Sequence, residues 1–189
     1  RKRHRLALGL VTAAVLCSAL DVRLAIRRYE IPLAPLEAPV RLALITDLHS
    51  CRYGEDQRVL LDALEAEEPD ALLLGGDIVD DELPTEPAFQ FLEEAVRRWP
   101  CVYVTGNHEF RSGQAEAFCA RIAELGIHVL RGTQITLELN GQPVDLLGLD
   151  DPTVGSAYSI LLAHRPERYS DYAALGCDLI LNGHAHGGQ

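Results

Sequence analysis

The sequence contains no methionine, few aromatic residues and fewer basic than acidic side chains. Aromatic residues make up 6% of the 189 residues, and 17 Lys and Arg stand against 28 Asp and Glu. Its five cysteines form no C-x-x-C pair, which excludes a disulfide framework and a zinc ribbon. With 48% hydrophobic residues, the length allows one globular domain and a tail. Because it begins at Arg1 and not at methionine, we expect a processed or partial chain.

Charge is distributed unevenly along the chain. Residues 1–28 contain seven basic residues and one acidic residue, a net charge of +6. Residues 29–189 contain ten basic and 27 acidic residues, a net charge of −17. A basic, apolar segment before an acidic domain indicates a membrane-surface or export element. The acidic domain argues against duplex nucleic acid as a partner, because phosphate-backbone binding needs a positive surface.

The basic segment continues into an uncharged, mostly apolar run at residues 6–20. Fifteen residues are fewer than the roughly 20 that span a bilayer, and they match the apolar region of a signal peptide. A membrane anchor that extends to Ile26, and an ordinary buried helix, stay open as alternatives. Basic residues on both sides of the run leave the membrane orientation open. We therefore predict a signal or anchor segment at 1–28 and a separate domain at 29–189.

Within the domain, short apolar runs alternate with segments of helical spacing. Strands are predicted at 41–46, 71–74 and 101–105, and helices at 56–67, 86–99 and 114–125. This repetition predicts right-handed crossovers and a largely parallel sheet.

The second half of the domain has a different pattern. Alternation at 133–139, the Asn140-Gly141 turn and the run at 144–149 predict a β-hairpin. Further strands are predicted at 159–163 and 178–181, with a helix that begins at Pro166. The expected fold class is therefore α/β, with a sheet flanked by helices and antiparallel strands added from the second half.

Potential metal ligands follow the ends of the predicted strands. Five of the seven histidines lie in these loops, where open α/β sheets bind ligands. Residues two apart on an extended segment point to the same side, so Asp47 and His49 can face one metal, as can His184 and His186. Asp77 has two carboxylate oxygens and is the natural bridge between two cations. Carboxylate, amide and imidazole ligands suit Mn, Fe or Zn.

Five motifs follow one another along the domain: Asp47-x-His49, Gly76-Asp77-x-x-Asp80, Gly106-Asn107-His108-Glu109, Leu161-Leu162-Ala163-His164-Arg165-Pro166 and Gly183-His184-x-His186. In this order they resemble the motifs of the calcineurin-like metallophosphoesterases, in the bacterial branch with an N-terminal signal or membrane anchor. The resemblance begins at about residue 29, is highly specific, and implies a metallophosphoesterase-type sheet sandwich flanked by helices.

The resemblance also implies a role for each matching residue. Metal one would be bound by Asp47, His49, Asp77 and His186, and metal two by Asp77, Asn107, His164 and His184. His108 would be the catalytic histidine near the leaving group, and Asp80 would orient it. A hydroxide that bridges the two cations would attack phosphorus in line. The role of Glu109 would be to hold its loop, and Arg165 is either a surface residue or a phosphate contact.

The function implied is a two-metal phosphoesterase that hydrolyses phosphodiester, phosphomonoester or pyrophosphate bonds, at a membrane or after export in a bacterium. A nuclease of the same superfamily is one alternative, which the acidic domain and scarce aromatics disfavour. A non-catalytic, membrane-tethered metal-binding scaffold is the other. Compared with the family pattern, we expect a helical insert before His164 to be missing, together with the C-terminal strands that would follow Gln189.

Overall fold

A computed structural model describes residues 24–32, 36–148 and 158–185. The chain divides into two units, Arg1–Pro32 and Leu33–Gln189. In the first unit, the described residues 24–32 form neither helix nor strand, and the apolar run at 6–20 lies outside the described residues. Across the three described ranges, no helix combines the length and hydropathy that a membrane span requires.

The first half of the second unit forms a four-stranded parallel sheet. Its strands are β1 (Leu42–Ile45), β2 (Ala71–Gly75), β3 (Cys101–Val104) and β4 (His128–Val129), in the order β1-β2-β3-β4. The first three were predicted as buried runs; β2 and β3 are buried, whereas β1 is only partly buried, with Leu44 exposed. The two-residue β4 was not predicted, because so short a segment carries no periodic pattern.

Helices cover one face of this first sheet. They are α1 (Arg58–Glu67), α2 (Glu86–Val96) and α4 (Ala115–Glu124), with a short α3 (Asn107–Arg111) directly after β3. Alternate strand residues Leu72, Leu74 and Tyr103 pack against the helices in one apolar core. This agrees with the predicted helices, except that α2 ends at Val96 and α3 was expected as a loop.

The second half forms a sheet of its own. Its strands are β5 (Thr133–Leu139), β6 (Gln142–Gly148), β7 (Tyr158–Ala163) and β8 (Leu179–Asn182). The predicted hairpin is confirmed, since β5 and β6 pair antiparallel around Asn140-Gly141, whereas β6, β7 and β8 run parallel. A 3₁₀ turn at Pro166–Arg168 leads into α5 (Tyr169–Ala173).

The two sheets pack face to face. Leu73 and Val102 of the first sheet share a core with Val144, Leu146 and Ile160 of the second. The first sheet is apolar on both faces, so one face takes the helices and the other needs a second covering layer. A smaller core places Tyr172 of α5 on the outer side of the second sheet, against Leu147 and Leu161. The result is the helix-flanked α/β sandwich that the resemblance implied.

Candidate metal centre

The loops after five strands carry the side chains proposed as ligands and catalytic groups. Asp47 and His49 follow β1, Asp77 and Asp80 follow β2, Asn107 and His108 begin α3 after β3, His164 follows β7, and His184 follows β8. The structure brings these side chains together at one edge of the sandwich, with both sheets contributing. His186 lies outside the described residues.

Four of these side chains extend from a backbone in the left-handed region. The φ angles are 55° at Asp47, 48° at His49, 51° at Asp77 and 67° at His184. Non-glycine residues adopt this region rarely, at a cost of roughly 1–3 kcal/mol each. Such strain concentrates at functional sites, where the surrounding structure holds it in place. One of the contacts that hold this backbone in place is a hydrogen bond from the N–H of Asp47 to the carbonyl oxygen of Gly76, at 3.1 Å.

Asp77 is the centre of the arrangement. Its side chain is 1% exposed, and it belongs to two groups of potential metal ligands. One group comprises His49, Asp77 and His108, the other Asp77, His164 and His184, and in each the ligand atoms lie within 4.8 Å of one another. A carboxylate shared by two ligand groups has the chemistry of a bridge between two cations.

Nitrogen and oxygen acceptors converge around one atom, Nε2 of His164. It lies 3.1 Å from Asp77 Oδ2, 3.2 Å from Asn107 Oδ1 and 3.2 Å from His184 Nδ1. On the other side of the ring, Nδ1 lies 2.9 Å from the carbonyl oxygen of Gly75, so this nitrogen carries a proton and donates it. In the neutral ring, Nε2 therefore carries a lone pair that faces the lone pairs of these neighbouring acceptor atoms. A cation, either a proton or a metal ion, relieves this repulsion.

The pKa values of the central pair follow from the same geometry. Burial by itself would raise the pKa of Asp77, but hydrogen bonds from His164 and from the backbone N–H of His108 outweigh it and lower the pKa to about 2. Burial by itself would lower the pKa of His164, but its contacts with Asp77 and Gly75 raise the pKa above the ordinary value. Both shifts favour the charged forms of Asp77 and His164.

His49 and His108 both contact the carboxylate of Asp80. Nδ1 of His49 lies 3.0 Å from Asp80 Oδ2, and Nδ1 of His108 lies 3.4 Å from the same oxygen. Asp80 Oδ1 accepts the backbone N–H groups of Glu82 and Leu83, each at 2.9 Å. Burial would raise the pKa of Asp80, but these hydrogen bonds lower it. The Asp80–His108 contact that the resemblance implied is present as a longer ion pair.

Asp81, which the sequence reasoning did not single out, makes the closer contact with His108. Its Oδ1 is hydrogen-bonded to His108 Nδ1, and its Oδ2 lies 3.4 Å from Arg111 Nε. The available signal was the second of two consecutive aspartates after β2. Spacing alone could not separate them, because which carboxylate reaches the ring depends on the turn of the loop.

Asp47 connects the loops of the two sheets. Its Oδ2 accepts the hydroxyl of Thr46 at 3.0 Å and the backbone N–H of His184 at 3.1 Å. The contact places a carboxylate from the first sheet beside the loop that carries a histidine from the second. Asp47 belongs to neither of the two compact ligand groups, but it contacts the backbone of His184, a member of the second group.

Glu109 is fully buried and holds two ligand loops together. Its Oε1 accepts the backbone N–H groups of Ile78 and Val79 at 2.8 and 3.0 Å. Its Oε2 accepts those of Asp77 and Gly106 at 3.1 and 2.8 Å. One carboxylate thus satisfies four amides from the loops after β2 and β3. The sequence indicated that Glu109 holds its own loop, and it gave no indication of the contacts to the second loop.

Two glycines permit the close approach of these loops. A Cβ added at Gly106 would overlap Asp77 Oδ1. A Cβ at Gly76, where φ is +88°, would lie 2.7 Å from His164 Nδ1. Only glycine leaves room for the carboxylate and the ring in these places.

The residues present fit a pair of divalent cations. The donor atoms are carboxylate and amide oxygens and imidazole nitrogens, a set that suits Mn, Fe or Zn. Metal-binding histidines almost always donate their second ring N–H to a carbonyl or carboxylate. His164 does so to Gly75 and His49 to Asp80, so Nε2 is the ring atom of each that could bind a metal.

Comparison with known proteins agrees with this chemistry. Residues 40–188 match the family model described as calcineurin-like phosphoesterase. An uncharacterised protein of Bacillus subtilis is 26% identical over 185 residues, which cover 87% of this chain and 68% of that protein. An uncharacterised metallophosphoesterase of Helicobacter pylori is 27% identical over 186 residues, covering 87% of this chain and 49% of that one. A zebrafish transmembrane protein with a metallophosphoesterase domain is 26% identical over 210 residues, covering 96% and 47%.

The chain thus spans about half the length of the Helicobacter and zebrafish relatives. Among solved structures, the phosphopantetheinyl hydrolase of Mycobacterium tuberculosis has a similar fold, with a TM-score of 0.50 and 15% identity. The matched region covers 80% of this chain and 84% of that one. With the family model matched over residues 40–188, the chain belongs to the calcineurin-like phosphoesterases, a family of hydrolases that act on phosphoester bonds.

Proposed function

We propose that this chain is a phosphoesterase that uses two divalent metal ions to hydrolyse phosphodiester, phosphomonoester or pyrophosphate bonds. The observation that carries the proposal is the buried Asp77 shared by two groups of metal-type ligands. A structural ion pair needs one carboxylate and one cation. Here four histidines share ligand groups with the same aspartate: His49, His108, His164 and His184.

Two sets of residues that share Asp77 would hold the two ions. The first would be bound by Asp47, His49, Asp77 and His186, and the second by Asp77, Asn107, His164 and His184. When bound, such a pair supplies a nucleophilic water at neutral pH and stabilises the charge that develops on the phosphoryl oxygens.

His108 is the residue of this chain that would handle the leaving-group proton. Asp81 and Asp80 both contact its Nδ1, which fixes that nitrogen as the one that carries the proton in the neutral ring. Nε2 is then the atom that donates a proton to the departing oxygen. The backbone N–H of His108 donates to Asp77 Oδ1 at 2.8 Å, which ties the position of the proton donor to the position of the shared ligand.

Metal content and hydrolysis measured together test the proposal. Elemental analysis of the purified protein is expected to give about two ions per chain after Mn²⁺ reconstitution, with turnover of bis(p-nitrophenyl) phosphate. Asp77→Ala is expected to lose both metal and turnover. Asp62→Asn, at an exposed aspartate of α1, is the matched control and is expected to retain both. Fewer than one ion per chain and no turnover would refute the proposal.

The role of His108 has a separate test. His108→Ala is expected to retain metal and to lose roughly 10²- to 10⁴-fold in kcat, the contribution of a positioned proton donor. Full kcat in this variant would remove His108 from the mechanism.

The same measurements separate the alternatives. Two ions per chain without turnover of any phosphoester would favour a metal-binding scaffold. Preferential cleavage of single-stranded DNA over the aryl diester would favour a nuclease, although the domain from residue 29 onward has a net charge of −17.

We also propose that the segment at 1–28 associates with a membrane, either as an export signal or as an anchor, in a bacterial protein. The support is its net charge of +6 followed by fifteen uncharged residues. Cosedimentation with vesicles that contain anionic lipid is expected for the full chain and to be lost when residues 1–28 are removed. Equal binding of both forms would contradict the assignment.

A further inference from the structure

A cavity of about 310 Å³ opens beside the candidate metal centre. Asn107 and His164 line it, and both belong to the set of candidate ligands. The volume lies at the lower end of the range for small-molecule sites, roughly 300–1,000 Å³. A substrate whose phosphorus lies at the metal centre would therefore place a neighbouring part of itself in this cavity.

The Lys, Arg, Asp and Glu side chains described around this cavity are all positively charged arginines. Arg131, Arg165 and Arg168 line it, and none of the described lining residues is Asp or Glu. Residues 29–189 contain only ten basic residues against 27 acidic ones. Three of those ten thus lie around one cavity, beside the site where a phosphoester would bind. In an acidic domain, this placement creates a local region that attracts anions.

Each of the three arginines has an acidic neighbour. Arg131 contacts Glu116 at 2.6 Å, and Arg165 contacts Glu167 at 3.0 Å. Arg168 lies 3.2 Å from Asp171. The carboxylate side chains of these pairs are 52–78% exposed, so water screens each pair and its interaction is weak. A guanidinium has five N–H donors, and phosphate binds such a fork in bidentate fashion.

The rest of the cavity wall is apolar. Leu130 and Leu162 line its interior, and Phe110, one turn into α3 and 58% exposed, lies at the same cavity. An exposed aromatic side chain beside a pocket offers a surface for a flat or apolar group. The cavity therefore combines an apolar wall with three cationic side chains.

We propose that this cavity binds a second anionic group of the substrate, so that the preferred substrates are phosphoesters whose organic part carries a further phosphate. This inference rests on the proposed function, because it places the scissile phosphorus at the metal centre. The arginines bind the second anion, and the apolar wall contacts the group that joins the two phosphates. Simple aryl diesters, which lack the second anion, are poor substrates by comparison.

Two compounds that differ only in the second anion test the inference. They are thymidine 5′-(p-nitrophenyl phosphate) and the same ester with a 3′-phosphate, each assayed with the Mn²⁺-reconstituted protein. The wild-type protein is expected to have the higher kcat/KM for the compound with the 3′-phosphate. Arg131→Gln, Arg165→Gln and Arg168→Gln are each expected to reduce this preference by about tenfold. Arg97→Gln, which also removes an exposed ion pair, with Glu94, is the matched control and is expected to leave it unchanged.

A binding measurement keeps the two proposals distinguishable. Calorimetry with thymidine 3′,5′-bisphosphate and thymidine 5′-phosphate compares their affinities without any turnover. A stronger affinity for the bisphosphate that falls about tenfold in the arginine variants supports the cavity even if neither ester is hydrolysed. Equal preference in the wild-type protein and the three arginine variants, in both assays, would overturn the inference and leave the phosphoesterase proposal intact.

Discussion

Replacing Glu109 by glutamine is expected to destabilise the loops after β2 and β3 without removing any ligand. The carboxylate of Glu109 accepts four backbone N–H groups, two at each oxygen. Glutamine keeps one of these oxygens and replaces the other by an NH₂ group. Two buried amides then face a donor and lose their acceptor.

The magnitude follows from the number of orphaned donors. A buried polar group without its partner costs about 1–3 kcal/mol, so two such amides cost about 2–6 kcal/mol. Alanine at the same position would orphan all four amides, at about 4–12 kcal/mol, which is comparable to the whole stability of a domain at about 5–15 kcal/mol. We therefore expect Glu109→Gln to fold and Glu109→Ala to fail.

Thermal unfolding of the metal-free protein measures the effect. At roughly 2–4 °C per kcal/mol for a domain of this size, Glu109→Gln is expected to lower Tm by on the order of 10 °C. Glu124→Gln, at an exposed glutamate of α4, is the control and is expected to lie within about 0.5 kcal/mol of the wild type. A Glu109→Gln protein as stable as this control would show that the carboxylate of Glu109 does not stabilise the two loops.

Three further predictions concern the same loops. Asp81→Asn is expected to lower kcat by roughly 10- to 100-fold with metal content unchanged, because it removes the closer carboxylate of His108, and an unchanged kcat would contradict this. Gly106→Ala is expected to reduce metal stoichiometry because its Cβ would displace the Asp77 carboxylate, whereas Gly113→Ala, whose Cβ would meet nothing within 4 Å, serves as the control in elemental analysis. The pKa of Asp77 is lowered from 3.8 to about 2, so its ionised form stabilises the metal-free fold above pH 3.8 by on the order of 2 kcal/mol, and this contribution is lost as the pH falls towards 2. Urea unfolding of the wild type and Asp77→Asn should therefore differ most near pH 5 and converge near pH 2, and a constant difference would contradict the assignment.

Much of the fold was predictable because it depends on local patterns. The short runs that became β1, β2 and β3 are apolar, and the Asn140-Gly141 turn fixed the β5–β6 hairpin. The packing of one sheet on the other depends on which alternate residues face which layer. Which residues face which layer is decided only when the two sheets pack together, and the pattern of a single segment does not show it.

The candidate site divides in the same way. Asp77, Asn107 and His164 could be identified from their positions after strands and from their motifs. The closer contact of Asp81 with His108 could not, because it depends on the conformation of the loop after β2, where Asp77 has a φ of 51°. Three of the four contacts of Glu109 reach residues about thirty positions away, and their geometry is set by tertiary packing.

The contact between Asp47 and His184 has a consequence for the order of folding. The two residues are 137 positions apart, so the chain emerging from a ribosome presents Asp47 long before its partner exists. Closing so long a loop costs configurational entropy that only the completed sandwich can offset. The first sheet can form early from neighbouring segments, whereas the second ligand group is assembled only after β8 has been synthesised. Under the two-metal proposal, capture of the second ion would therefore follow the synthesis of β8.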